Sequence, residues 1–372
     1  MRAENQDMAV RSPWRSVLLR PRLAIGLAVI AFMVVASFAS LPYLLGSAAD
    51  DPTPRYNAGR VEQARTPPSW GSSQAGSHAA SMLMGSDGLG RSLLHRSLVG
   101  GAISLTVGLC AAAASVVIGV AYGAIAGLAG GRLDGVMMRA VDVLYGLPYI
   151  LIVVLLAVAI DAVVERSTVA RVNRIAQARE AHVDSAVRAL PPERRADPRA
   201  RLELEREAML LMGTGELPSS AREIINIATL LLAIGSVSWL TMARVARGEV
   251  IALKAMPFVE AARAIGVSRA GILFRHILPN LTGVVIVYAT LAVPQAILQE
   301  SFLSFLGIGV RPPLPSWGNL AAEGLSEINP YKSHWWLIAF PCALLAVTLV
   351  SLNLVGDSLR DALDPKWRGR RP

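Results

Sequence analysis

The chain has 372 residues, 53% of them hydrophobic and only 17% charged, with a mean hydropathy of +0.47. Soluble chains carry about 25% charged residues, so this balance excludes a disordered acidic protein, a collagen and a disulfide scaffold. The net charge is +9. Such a basic chain raises nucleic acid as a partner, but its arginines flank apolar blocks and form no single stripe, so no nucleic-acid partner is expected. Cys110 and Cys342 lie inside apolar blocks. They read as small core hydrophobes, not as a disulfide or metal pair.

A hydrocarbon core about 30 Å thick needs about 20 apolar residues in helical form. Six segments qualify in chain order: 23–45, 102–129, 136–161, 224–243, 282–306 and 335–355. Each must be a helix, because only a helix satisfies every backbone group within one segment. The expected fold is therefore all-α, a polytopic membrane bundle of six spans. The first segment is longer than a signal-peptide core and no small-residue cleavage site follows it, so it reads as an uncleaved span.

An even number of spans puts both termini on one side. On that side residues 1–22, 130–139, 244–281 and 357–372 together hold 18 basic against 8 acidic residues. The opposite segments, 46–101, 165–223 and 307–334, hold 18 against 16. The positive-inside rule makes the first side cytoplasmic. The chain then divides into a cytoplasmic tail (1–22), a first span (23–45), an external loop (46–101), a core of five spans (102–356) and a cytoplasmic tail (357–372). The core carries an external charged helical insertion at 165–221 and a cytoplasmic loop at 244–281. Membrane lipid surrounds the spans. Trp239, Trp335 and Trp336 sit at span ends, where amphipathic rings anchor at the interface.

Gly119, Gly123 and Gly127 put one small residue per turn on one face of the second span, which lets another helix approach closely. Pro148, Pro294 and Pro341 each remove a backbone hydrogen bond and invite a kink in spans three, five and six. Asp142 and Glu300 lie within two turns of span ends. Charge in the membrane is costly, so each is either a paired structural group or part of a solute path. In the insertion, the spacing predicts a helix over 168–190, a break at Pro191-Pro192 and a second helix over 199–212. This hairpin either contacts an external protein or is a solvated insertion. Segment 46–80, rich in Pro, Gly and Ser, reads as irregular loop.

Catalytic signatures are absent from the sequence: no GxxxxGK followed by Ser or Thr, no HExxH and no GxSxG. The chain is not expected to be an enzyme and holds no metal site. The segment 257–279, PFVEAARAIGVSRAGILFRHILP, is the most informative. Pro257 suits a first helical turn, Glu260 complements the dipole there, and Gly266 stops the helix. Ser268 then caps a second helix. A short helix bearing the small residues Ala261 and Ala262 is thus presented next to span five, either for docking or as an ordinary surface loop.

Glu260-Ala261-Ala262, Gly266 and Leu278-Pro279 resemble the EAA loop of ABC-importer permease subunits, with His276 where the family pattern has an apolar residue. Three further segments resemble the dipeptide/oligopeptide branch, second (C-type) subunit. They are Gly85-Ser86-Asp87 through Gly90-Arg91, Ser304-Phe305-Leu306-Gly307 through Trp317-Gly318, and Gly356-Asp357 through Asp364-Pro365. In the first, Ser86 replaces Thr and Ser92 replaces Asp. The resemblance implies the type I ABC-importer permease fold in the inner (plasma) membrane, with Glu260 to Gly266 as a coupling helix. It also implies four kinds of partner or cofactor relation. A second permease completes a heterodimer, two ATPase subunits drive it, an external solute-binding protein delivers the solute, and ATP and Mg bind on the ATPases with no cofactor in this chain. Peptide is the implied solute, with nickel, glutathione or another small solute as the alternative. An ion-coupled secondary transporter is the alternative of another class.

Overall fold

The computed structural model describes residues 21–48, 51–71, 82–195, 197–328 and 332–363. Most of the N-terminal tail, the stretch 72–81, and the C-terminal residues that include Asp364 and Pro365 lie outside them. The described elements are helical apart from one small antiparallel pair, β1 (Ser47–Ala48) and β2 (Asp51–Pro54). The helices are α1 (Pro21–Leu45), α2 (Leu93–Ala129), α3 (Gly131–Tyr145), α4 (Tyr149–Ala189), α5 (Pro192–Arg195), α6 (Pro198–Met212), α7 (Ser219–Lys254), α8 (Pro257–Ala264), α9 (Arg269–Ile272), α10 (Leu278–Phe305), α11 (Trp317–Ser326) and α12 (Trp336–Leu363). Five helical stretches among the described residues are long and apolar enough to cross a membrane, and a sixth span results if the bent pair α3 and α4 is taken as one.

The third span departs from a single kinked helix. The chain breaks at Gly146-Leu147-Pro148, and the helices on either side meet at 90°. Pro148 lacks the N–H that would continue the ladder, and the residue before a proline is pushed out of the α region. Pro294 and Pro341, by contrast, lie inside helices that remain single elements. Boundaries shift as well. Ser92 accepts a hydrogen bond from the His95 amide and caps α2, so the loop expected at 46–101 ends about ten residues early. An aspartate at position 92, as in the resembling family pattern, makes the same cap. Helix α7 runs on to Lys254, which shortens the loop expected at 244–281.

The chain divides into two compact units, Met1–Val154 with Leu230–Pro372, and Leu155–Thr229. In the first, α2 is the central helix. In lipid no hydrophobic force drives helices together, so close packing and hydrogen bonds must do it. Gly119, Gly123 and Gly127 seat α2 directly on α7. A Cβ on Gly119 would lie 2.6 Å from Met242 Cβ, and one on Gly127 2.9 Å from Val250 Cβ. One on Gly123 would overlap the Ala243 carbonyl oxygen and lie 2.8 Å from the Arg247 nitrogen. Farther up α2, Gly101 gives the same clearance to Trp317, and Gly108 to Ile297 of α10. At its other end Lys254 Nζ donates to the Gly127 and Leu128 carbonyls at 2.9 and 3.0 Å, satisfying helix-terminal oxygens that have no partner within α2. Asp134 of α3 accepts two bonds from Arg247 of α7, at 2.5 and 2.7 Å.

The second unit is a helical hairpin. Its helices match the expected 168–190 and 199–212, except that the first is the continuation of α4 from the membrane segment. Asp197 caps α6 by accepting from the Arg199 amide at 2.9 Å, and Ala200, Ala208 and Val183 are buried. Gly215, at φ +77°, lets the chain pass close to Val172 and Ile175.

Two further expectations from the sequence are corrected. Cys110 and Cys342 are free and exposed, not core residues. They occupy outward faces, because lipid is as apolar as a protein interior and nothing drives a small apolar side chain inward. Trp336 is not an interfacial anchor. It is buried, and its Nε1 donates to the Ser86 carbonyl at 3.3 Å.

Candidate functional site

Three features are candidates for function: the loop around α8, a charged clasp at the start of α2, and a cavity at the break in the third span. Helix α8 starts with Pro257 at its first position and Met256 as its cap. Val259 and Ala262 are its buried side. They pack into a cluster with Ala124, Val250, Leu253, Ile272, Ile277 and Leu281. The opposite side carries Glu260 and Ala261, both exposed, with Phe258 half-exposed beside them and Ile265 82% exposed at the end.

The stop is a Schellman turn. The Gly266 amide donates to the Arg263 carbonyl at 3.1 Å and the Val267 amide to the Ala262 carbonyl at 3.0 Å. Gly266 has φ +84°. A side chain there costs about 1–2 kcal/mol in the left-handed region. Gly266→Val is therefore expected to lower thermal stability by that amount and to loosen α8. Proteolysis of the loop, faster than in wild type, would register the change.

Ser268 caps α9 by accepting from the Gly271 amide at 3.2 Å. A π-helical turn, Leu273–Ile277, then joins α9 to α10. Pro279 lies in the first turn of α10, and Leu278 is half-buried. His276 takes the place of an apolar residue by packing its ring against Phe258, centroids 6.5 Å apart. So the loop is a rigid two-helix unit. It is bolted to α2 and α7 through one face, and its other face is exposed among the described residues.

The clasp is built from the Gly85 to Arg91 segment. Asp87 accepts from the Leu89 and Arg91 amides at 2.9 Å each and from Arg91 Nε at 2.6 Å. It also accepts from Arg96 at 2.8 Å, and Arg96 reaches Glu323 of α11 with its other donors. Arg96 is 1% exposed. Arg65 adds a two-pronged bond to Glu327 at 2.6 and 2.8 Å. This guanidinium holds the Glu327 carboxyl below the usual range. The clasp ties the loop before α2 to α11.

Neither acid expected as a paired group or on a solute path is in the lining of the cavity at the span break. Asp142 pairs with Arg244 at 2.9 Å, and Arg244 in turn lies over the Tyr145 ring at 3.9 Å. Glu300 is fully buried among hydroxyls. Ser304 donates to it at 2.7 Å and Ser301 at 3.2 Å, with Ser104 and Ser316 also bonded to it. Ser304 accepts the Val310 amide and Ser316 caps α11, where Asn319 completes a capping box. Glu300 thus fastens α2, α10 and the entry to α11.

The cavity lies where the third span breaks. It measures about 410 Å³ and its polar lining is Tyr149, Ser238, Thr241, Gln295 and Gln299. The Tyr149 hydroxyl donates to Gln299 Oε1 and lies 3.0 Å from Ser238 Oγ. None of these residues stands out from composition. The one signal was spacing: Gln295 and Gln299 are four apart on one helix, and Ser238 and Thr241 three apart on another, so each pair shares a face.

Residues 119–369 match the family described as binding-protein-dependent transport system inner membrane component. The chain belongs to that family. It is 37% identical over 284 residues to the dipeptide transport system permease protein of Bacillus subtilis, covering 76% of this chain and 68% of that one. It is 38% identical over 286 residues to an oligopeptide transport system permease protein of Haemophilus influenzae, covering 76% and 70%. A glutathione transport system permease protein of Pectobacterium atrosepticum is 28% identical over 368 residues, 98% and 94% of the two chains. This inner-membrane transport component is therefore a multi-pass helical protein of binding-protein-dependent systems, and the ion-coupled alternative falls away. The matched stretch takes in the glycine face of α2, the break at Pro148 and the whole loop around α8.

Proposed function

We propose that this chain is the permease subunit of an ATP-driven peptide importer. It forms half of the translocation path beside a second, different permease. Two ATPase subunits, which bind the ATP and Mg, drive the pair, and an external solute-binding protein supplies the solute. Both termini and α8 face the cytoplasm in this reading, in accord with the positive-inside count, and the clasp of Asp87, Arg96 and Glu323 faces outward.

The observation that carries the proposal is the form of α8. Its buried residues Val259 and Ala262 anchor it to two membrane helices. A push on its exposed side, from Glu260 and Ala261, passes directly into α2 and α7. The small Ala261 beside the exposed Phe258 and Ile265 offers an apolar surface to a groove on another protein. The named relatives favour peptide as the solute, and the weaker, longer match favours glutathione as a second reading. The two are chemically close, since glutathione is itself a tripeptide. Nickel gains nothing from the cavity, whose polar lining offers hydroxyls and amides.

The test is transport by the complete complex in proteoliposomes. ATP-dependent uptake of a labelled tripeptide that exceeds glutathione uptake supports the proposal. Uptake of glutathione alone selects the second reading, and no ATP-dependent uptake of either contradicts both.

A further inference from the structure

We infer that the cavity at the break in the third span is a solute subsite that hydrogen-bonds the neutral backbone amides of a peptide. The inference rests on the importer reading above and adds the groups that recognise the solute. Sites for small molecules have volumes of about 300–1,000 Å³, with a few placed polar groups in a mostly apolar wall. This cavity, at about 410 Å³, fits that description.

Its polar groups match peptide chemistry. Each peptide unit offers one N–H donor and one carbonyl acceptor, and a glutamine side chain offers both kinds in return. Gln299 is held in place, because its Oε1 accepts from the Tyr149 hydroxyl. Its Nε2 hydrogens are thereby left for a carbonyl in the cavity. Gln295 lies one turn earlier on the same face of α10, exposed. The two amides are thus about 6 Å apart along the helix, close to the spacing of alternate peptide groups along an extended chain. Thr241 adds a hydroxyl from α7.

Charge is kept out of the lining. Arg244 contacts it only through the Tyr145 ring, and Asp142 neutralises that guanidinium. A neutral wall makes no distinction between acidic and basic side chains, and it binds what every peptide has in common. The sharp break at Gly146-Leu147-Pro148 brings Tyr149 to the cavity.

The experiment uses the complete transporter in proteoliposomes, with trialanine and its backbone N-methylated analogue as solutes. Gln295→Leu and Gln299→Leu are compared with wild type, and co-purification of the ATPase verifies assembly. Each variant is expected to raise the KM for trialanine about tenfold, the loss of one hydrogen bond. Each is also expected to narrow the preference for trialanine over the N-methylated peptide. Gln295 makes no side-chain hydrogen bond among the described residues, so its variant decides the matter if Gln299→Leu fails to assemble. An unchanged KM and preference in an assembled Gln295→Leu complex would overturn the subsite while leaving the importer reading intact. A wild-type complex that holds its ATPase yet carries no trialanine would overturn the importer reading for peptides and the subsite with it.

Discussion

Replacing Arg96 with methionine is expected to destabilise the folded protein by about 3 kcal/mol. Removing one partner of a buried ion pair costs about 3–5 kcal/mol, because the other charge is left in a poor solvent. Two details place this case at the low end. Asp87 keeps Arg91 and two backbone amides, and Glu323 is exposed enough to reach water. Arg96→Lys should lose less, since an ammonium keeps the charge but cannot make the paired bonds to Glu323 that the guanidinium makes. Thermal unfolding in detergent checks the order: wild type, then lysine, then methionine. A methionine variant within about 0.5 kcal/mol of wild type, the range of ordinary surface changes, would show that the clasp does not fasten α2 to α11.

The second large effect is expected at Gly123. Overpacking a tight contact costs about 1–3 kcal/mol, and here the obstacle is backbone, the Ala243 carbonyl, which cannot swing aside. Against this stands the gain of about 0.5–1 kcal/mol from alanine over glycine inside a helix. The clash wins, so Gly123→Ala should lose about 1–2 kcal/mol net. Gly248 supplies the control. It lies inside α7 with nothing within 4 Å of a built Cβ. Gly248→Ala should be neutral or stabilising. If the two alanine variants melt together, α2 and α7 are not in glycine contact.

Much of this architecture was legible from residue spacing. Three glycines four apart announced a helix seat, and Pro257, Glu260 and Gly266 announced where α8 begins and ends. These signals are local, because they depend on one face of one helix or on the conformation of one turn. What was not legible depends on partners remote in sequence. Trp336 looks like an interfacial anchor until the Ser86 carbonyl, 250 positions away, takes its N–H. Glu300 stands out as a charge in a span, but its own helix does not announce that Ser104 and Ser316 join Ser301 and Ser304 around it. Proline is ambiguous in the same way. Pro148 breaks its span, while Pro294 and Pro341 do not. Pro148 follows Gly146, which favours a break, whereas the other two have no adjacent glycine. The cavity glutamines went unremarked because an apolar window averages them away.

The central claim is that α8 is the contact through which an ATPase subunit drives this membrane component. It is tested most directly by co-purifying tagged wild-type chain and the Glu260→Lys variant in mild detergent, with mass spectrometry of what comes along. Glu260 is exposed, so a lysine there reverses the charge on the docking side without touching the buried anchors Val259 and Ala262. The account predicts that wild type brings a nucleotide-binding ATPase and a second permease. It predicts that the variant keeps the permease and its melting temperature but loses the ATPase. A variant that retains the ATPase at wild-type yield, or a wild type that purifies alone, would contradict it.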